Sequence, residues 1–114
     1  MDIFAALAEP TRRSIIEMLA ERGELSATDI SEKFNSSPPA ISQHLKVLRE
    51  ANLVRMEKRS RQRIYRVNPS AMHELERWAK QTTELWERRF DKLDNVLAIE
   101  KNKLKNHGKS TRFS

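Results

Sequence analysis

The chain contains no cysteine, only two glycines and four prolines, and three histidines in 114 residues. Without cysteine there is no disulfide, no thiolate metal ligand and no thiol redox switch, and nothing calls for an oxidising compartment. So few glycines and prolines leave little material for open loops, so regular structure should dominate. There is no glycine-rich phosphate loop and no nucleophile elbow, and the histidines are scattered, which argues against an enzyme. No apolar run approaches the length of about 18 residues that marks a membrane span. Met1-Asp2-Ile3-Phe4 also lacks the basic start of a signal peptide. A cytoplasmic protein with no membrane partner is the expectation. The length gives room for one small domain and one extension.

What is present is concentrated. Residues 38–67 hold eight of the 22 basic residues and two of the 16 acidic ones, so this window carries the whole net charge of +6. The window also reads as one mechanical unit. A helix over 37–51 leads through a short turn into Leu53-Val54-Arg55-Met56-Glu57-Lys58, and Arg63-Ile64-Tyr65-Arg66-Val67 follows after four polar residues. A helix able to lie in a groove, followed by a hairpin armed with arginines, is a common way to read duplex DNA. Tyr65 is the only aromatic residue of the window. A protein that grips single strands would be expected to carry more stacking rings there. A purely structural dimerisation module would not need the charge at all.

Upstream, Ile3-Phe4-Ala5-Ala6-Leu7-Ala8 reads as a short helix ending before Pro10, because the residue ahead of a proline avoids the α region. Pro10 opens a second helix, with Ile15, Ile16 and Leu19 on one stripe, until Gly23 stops it. Ser26 caps a third helix over 28–34, and Asn35-Ser36-Ser37 turns into the fourth. Short helix, tight turn, longer helix is the helix-turn-helix arrangement. The expected fold is mainly α with a small β-hairpin wing, in the order α-α-α-α-β-β-α.

At about 100° per residue, Ile41, Leu45 and Leu48 share a buried face of the fourth helix. Pro39, Gln43, Lys46 and Glu50 lie opposite, with Ser42 and Arg49 at the edge. Gln43 and Ser42 are the expected base readers, Gln because it can pair bidentately with adenine. Lys46 and Arg49 are expected on phosphates, as are Lys58, Arg59, Arg61 and Arg63 of the wing. Ser36 and Ser37 stand at the positive end of the helix, where N–H groups suit a phosphate. His44 is expected to pack rather than to read bases. Arg55 and Arg66 either flank the sheet or contact DNA.

From Pro69 onward there is no glycine or proline until Gly108. Met72, Leu75, Ala79, Thr82, Trp86, Leu93 and Val96 recur at helical spacing, with Trp78, Leu85, Phe90 and Leu97 alongside. A helix of roughly 35 residues would span roughly 50 Å, longer than a domain of this size is wide. The far end of its stripe therefore needs a second subunit. Ile3, Phe4, Leu7, Trp86, Phe90, Leu93, Val96 and Leu97 are the expected dimer interface, and Thr82-Thr83 is the place where the helix would bend if it does. Residues 1–100 are expected to form the domain, and the basic segment 101–114 a disordered tail.

The segment Leu7-Ala8-Glu9-Pro10-Thr11-Arg12-Arg13, followed by Ile16 and Leu19, resembles the opening of the ArsR family of winged-helix repressors. Ser42-Gln43-His44-Leu45-Lys46-Val47-Leu48-Arg49-Glu50-Ala51-Asn52-Leu53-Val54 is similar to that family's recognition helix, and Arg63-Ile64-Tyr65-Arg66-Val67-Asn68 to its returning wing strand. The resemblance covers about residues 3–100. It implies a homodimer built from the first and last helices, bound to a pseudo-palindromic operator in double-stranded DNA and repressing transcription. Many relatives sense soft metals through Cys-x-Cys in the third helix. Here Ser26 and Thr28 hold those two positions, and hydroxyls are poor soft-metal ligands.

Other relatives bind metal between their terminal helices through Asp-x-His and a later His-x-x-His or Glu. Aligned at His73, this chain offers Ala71, His73, Glu84 and Glu87. One imidazole with two carboxylates is a weak zinc set. No metal or other cofactor is expected, and the inducer, whether small molecule or protein, is left unnamed. The alternatives are a divalent-metal-responsive repressor using this degenerate site, and a non-specific nucleic-acid-binding protein. Zinc, cobalt or nickel at micromolar levels should leave operator affinity unchanged in a mobility-shift titration. Release by stoichiometric zinc that a His73→Ala variant abolishes would restore the metal sensor.

Overall fold

Each helix of the chain is started by a side chain the sequence supplies at the right place. The computed structural model describes the backbone of residues 2–101 and the side chains of residues 2–91. Asp2 opens α1 (Ile3–Leu7), its Oδ1 accepting from the Ala5 N–H at 2.7 Å. Glu9 does the same for α2 (Pro10–Arg22), accepting from the Arg12 N–H at 3.0 Å. Pro10 fits the first position of α2 because that N–H would be unpaired in any case. Gly23 ends the helix at φ 92°, a left-handed value that glycine adopts without a Cβ clash. Ser26 caps α3 (Ala27–Lys33) through a 3.0 Å bond from the Asp29 N–H, and Ser37 caps α4 (Pro38–Glu50) through one of 3.3 Å from the Ala40 N–H. Asn68 starts α5 (Pro69–Lys101) by accepting from the Ser70 N–H at 3.2 Å.

The wing is β2 (Val54–Arg59) paired antiparallel to β3 (Gln62–Val67), Arg59 facing Gln62 at the tip. Ser60, with φ 59°, takes the first central position of this two-residue turn. Glycine usually stands there in hairpins. The sheet also holds a strand that the sequence did not reveal. Leu25 and Ser26 form β1, pairing antiparallel with Tyr65 and Ile64. The sheet order is β1-β3-β2, which makes β3 the central strand. The expected element order therefore becomes α-α-β-α-α-β-β-α. Two residues cannot display a period of two, so no alternation could have marked β1.

The core lies between the helices and the sheet. Ile15 and Leu19 from α2, Ile30 from α3, and Ile41, Leu45 and Leu48 from α4 meet Leu53, Val54 and Tyr65, all buried. Asn68 locks the exit of the sheet: its Nδ2 donates to the Asn52 carbonyl at 2.8 Å and its backbone N–H to the Leu53 carbonyl at 2.9 Å. Among the described residues no buried side-chain nitrogen or oxygen lacks a hydrogen-bond partner.

The chain divides into two compact units, one ending at Glu76 and one beginning at Arg77. Every described side chain from Glu76 to Asp91 is exposed. Helical structure runs unbroken through Thr82 and Thr83. Threonine costs only tenths of a kcal/mol against better helix formers, too little to break a helix of this length. The basic tail expected from 101 lies, beyond Lys101, outside the described residues.

Leu48, fully buried, and Ser26, which caps α3, should differ in their contribution to stability. Leu48→Ala is expected to cost about 3 kcal/mol through a cavity, and Ser26→Ala about 1 kcal/mol through the lost cap. Urea unfolding monitored by circular dichroism measures both. Equal losses would contradict this account of the core.

Candidate nucleic-acid interface

The α4 helix separates its two faces cleanly. Ile41, Leu45 and Leu48 are buried, while Pro39, Ser42, Gln43, Lys46 and Arg49 are exposed. The two candidate readers and the two candidate phosphate contacts of this helix are therefore all accessible on its solvent side. Among the described residues no carboxylate forms an ion pair with Lys46 or Arg49.

The start of α4 departs from expectation. Pro38 and Pro39 occupy its first two positions and have no N–H. The Ala40 N–H is held by the Ser37 hydroxyl and the Ile41 N–H by the Ser37 carbonyl. The first turn thus has no free amide for an anion, and the Ser37 hydroxyl is already engaged as a cap. Ser36, exposed in the turn, remains as a hydroxyl donor at this end. The two prolines carried this information, and the general affinity of helix starts for phosphate obscured it.

His44 is half-buried, and its Nδ1 lies 3.3 Å from an Arg12 guanidinium nitrogen. A guanidinium only donates, so Nδ1 is the accepting atom of this contact. Arg12 also donates through Nε to the Ala6 carbonyl at 2.6 Å and through a terminal nitrogen to the Ala5 carbonyl at 3.4 Å. Arg13 donates to the Leu7 and Ala8 carbonyls at 2.7 and 3.2 Å. The end of α1 leaves unpaired carbonyls with partial negative charge, and two arginines from the next helix satisfy them. Sequence reasoning assigned no role to either arginine. A cap supplied from the following helix leaves no local signature.

The wing charges fall into two groups. Arg59 donates both terminal nitrogens to Glu24, at 2.6 and 3.1 Å, and shares one of them with Glu57 at 3.1 Å. The hydrogen bond from Arg59 holds the Glu24 carboxyl below the usual carboxylate range, and the same bond raises the Arg59 guanidinium. Arg59 was expected on a phosphate; in this structure two carboxylates from its own chain already offset it. Glu24, which draws it back, was not among the expected site residues. Lys58, Arg61 and Arg63 are exposed and form no ion pair among the described residues. Lys58 faces Arg63 across the strands, and Arg55 faces Arg66. Both are like-charge pairs that cost free energy unless an anion relieves them.

The expected dimer residues divide as well. Ile3 and Leu7 are half-buried and pack against their own core, whereas Phe4 is 49% exposed. In the second unit Trp78, Leu85, Trp86 and Phe90 are exposed, with the Trp86 and Phe90 rings stacked at 6.5 Å between centroids. The side chains of Leu93, Val96 and Leu97 lie outside the described residues. Among the described residues no three His, Cys, Asp or Glu side chains gather as a metal site. His73 instead lies 3.4 Å from Glu76 in an exposed pair. Ser26, at one of the positions where relatives carry a metal-binding cysteine, is buried and engaged in capping α3.

Residues 9–56 match the family model described as bacterial regulatory protein, arsR family. The transcriptional repressor SdpR of Bacillus subtilis is 34% identical over 77 residues, which cover 68% of this chain and 84% of that protein. The arsenical resistance operon repressor of Escherichia coli is 33% identical over 98 residues, covering 85% of this chain and 80% of its own length. Among solved structures, an ArsR-like transcriptional regulator from Rhodococcus superposes with a TM-score of 0.74 at 29% identity, over 82% of this chain and 88% of that one. With its helix-turn-helix, exposed α4 face and arginine-bearing wing, the chain belongs to the ArsR family of DNA-binding transcriptional regulators.

Proposed function

We propose that the chain works as a homodimer on a pseudo-palindromic operator and represses transcription from it. The observation that carries this reading is the exposed face of α4, where Ser42, Gln43, Lys46 and Arg49 stand without ion pairs among the described residues, beside a wing whose Lys58, Arg61 and Arg63 likewise form none among them. Gln43 and Ser42 contact base edges in the major groove, and Lys46, Arg49 and Ser36 hold phosphates around it. Lys58, Arg61 and Arg63 neutralise phosphates flanking the site. Repression is supported by the B. subtilis and E. coli relatives, both described as repressors.

Dimerisation is supported by the second unit of the chain. Trp86, Leu85 and Phe90 expose large apolar surface on one helix, and exposed patches of this kind mark protein contacts. One reading helix per subunit, related by a two-fold axis, demands half-sites about 34 Å apart. Footprinting of the full-length protein should protect an inverted repeat with that spacing. A preference for single-stranded RNA over every duplex tested would overturn the reading.

Gln43→Ala is expected to relax discrimination at one base position by about 1–3 kcal/mol and leave non-specific affinity unchanged. Arg61→Ala should weaken all duplexes and reduce the log–log salt slope by about 0.9. Arg59→Ala should change that slope less, because Glu24 and Glu57 already offset its charge. Fluorescence anisotropy over a salt series measures all three. If Gln43→Ala lowered specific and non-specific affinity alike, Gln43 would not be a reader.

Trp86→Ala should shift the protein toward monomer and abolish operator binding while the first unit stays folded. Removing a large aromatic from an interface costs roughly 3–5 kcal/mol, and two-fold symmetry repeats the loss on both subunits. Sedimentation equilibrium reads the outcome. An unchanged tight dimer for both Trp86→Ala and Leu93→Ala would place the interface elsewhere.

A further inference from the structure

One cation of the wing is bound by acids of its own chain. Arg59 ends β2, and Glu24 immediately precedes β1. The sheet order β1-β3-β2 puts the central strand between them, so the Arg59 guanidinium meets Glu24 across β3. Its two terminal nitrogens donate to the two oxygens of Glu24 at 2.6 and 3.1 Å, fork to fork. Glu57, two residues earlier on the same face of β2, accepts from one of those nitrogens at 3.1 Å. The Arg59 hydrogen bond is the main cause that holds the Glu24 carboxyl below the usual carboxylate range, and the charges of Arg59 and Arg66 act in the same direction. Glu24 therefore stays ionised near neutral pH.

The Arg59 side chain is 45% exposed, so an incoming anion can reach it. A DNA phosphate arriving there would find the terminal fork filled and the guanidinium charge offset by two carboxylates. Displacing Glu24 would leave that carboxylate to take up a cation from solution. This uptake would cancel the counterion that a phosphate contact normally releases. Whether the pair stays closed or opens on contact, Arg59 adds little to DNA affinity while Glu24 is present.

We propose that Glu24 is an autoinhibitory positioning residue of the wing, holding Arg59 on the sheet in competition with DNA phosphate. The proposal rests on the reading above, in which wing cations neutralise phosphates. Phosphate contacts position without specifying a base. The latch therefore lowers affinity for every duplex by a common factor and leaves discrimination between sequences unchanged. Exposed ion pairs contribute little to stability, so opening the latch alters binding without unfolding the chain.

The test is a double-mutant cycle on the full-length protein, with a fluorescently labelled duplex of arbitrary sequence and anisotropy read over a potassium chloride series. Glu24→Gln should bind about two- to fivefold more tightly than the unaltered chain, the gain that releasing an exposed pair supports. Its log–log salt slope should steepen by up to about 0.9, one further phosphate contact. In an Arg59→Ala background the same Glu24→Gln change should alter neither quantity. Circular dichroism should show the same fold and melting temperature for all four proteins.

An unchanged affinity and slope in Glu24→Gln would overturn the latch. An equal gain in both backgrounds would overturn it too, since Glu24 would then act through its own field rather than through Arg59. Weaker binding by Glu24→Gln would also refute it, and would make Glu24 a support that holds Arg59 against DNA. If neither the unaltered chain nor Glu24→Gln bound any duplex, the wing reading and the latch would fail together. Salt-dependent binding by the unaltered chain with no response to Glu24→Gln would sink the latch alone.

Discussion

Arg12 joins three helices at one point, tying α4 to the end of α1. Its Nε and one terminal nitrogen close the carbonyl end of α1, while the other terminal nitrogen reaches His44 on α4. The backbone N–H of the same residue is held by Glu9. The apolar core fixes how deeply α4 is seated, through Ile41, Leu45 and Leu48. Hydrophobic packing is non-directional, however, and a helix can roll on an apolar surface at little cost. A hydrogen bond to the half-buried rim of the helix resists such rolling because it depends on angle as well as distance. It also links the end of α1, through Arg12, to His44, the chain neighbour of Gln43 on α4.

The electrostatics follow a similar division between groups engaged inside the molecule and groups left available. All of the formal excess charge lies in residues 38–67, yet the structure does not leave all of it free. Arg59 is drawn back by Glu24 and Glu57, while Lys58, Arg61 and Arg63 remain accessible close by. An exposed pair of this kind does little for stability. Its effect is on how many charges the wing tip presents at once. Sequence composition counts charges, whereas an operator meets only those with no partner of their own.

Much of the fold was legible because its signals are local. Caps at Ser26 and Ser37, the stop at Gly23, and the stripe Ile41, Leu45, Leu48 each act within one or two helical turns of chain. The exposed face of α4 followed directly from the same phasing. What could not be read depends on partners distant in sequence. β1 exists only because β3 passes beside it, and the Arg59–Glu24 bond joins residues separated by 35 positions. The start of α4 differs in kind, since Pro38 and Pro39 act locally and remove two amide donors from its first turn.

Those two prolines bear on how the protein meets its target. Each ring fixes its own φ near −65°, and each restricts the residue before it. The path from Ser37 into α4 is therefore set by covalent geometry before any partner is present. Unfolded chains carrying such rings have fewer conformations to lose, so the entry to α4 requires little ordering on contact. The start of α4 is accordingly a backbone whose shape is fixed before any contact, with side chains projecting from a support that adapts little.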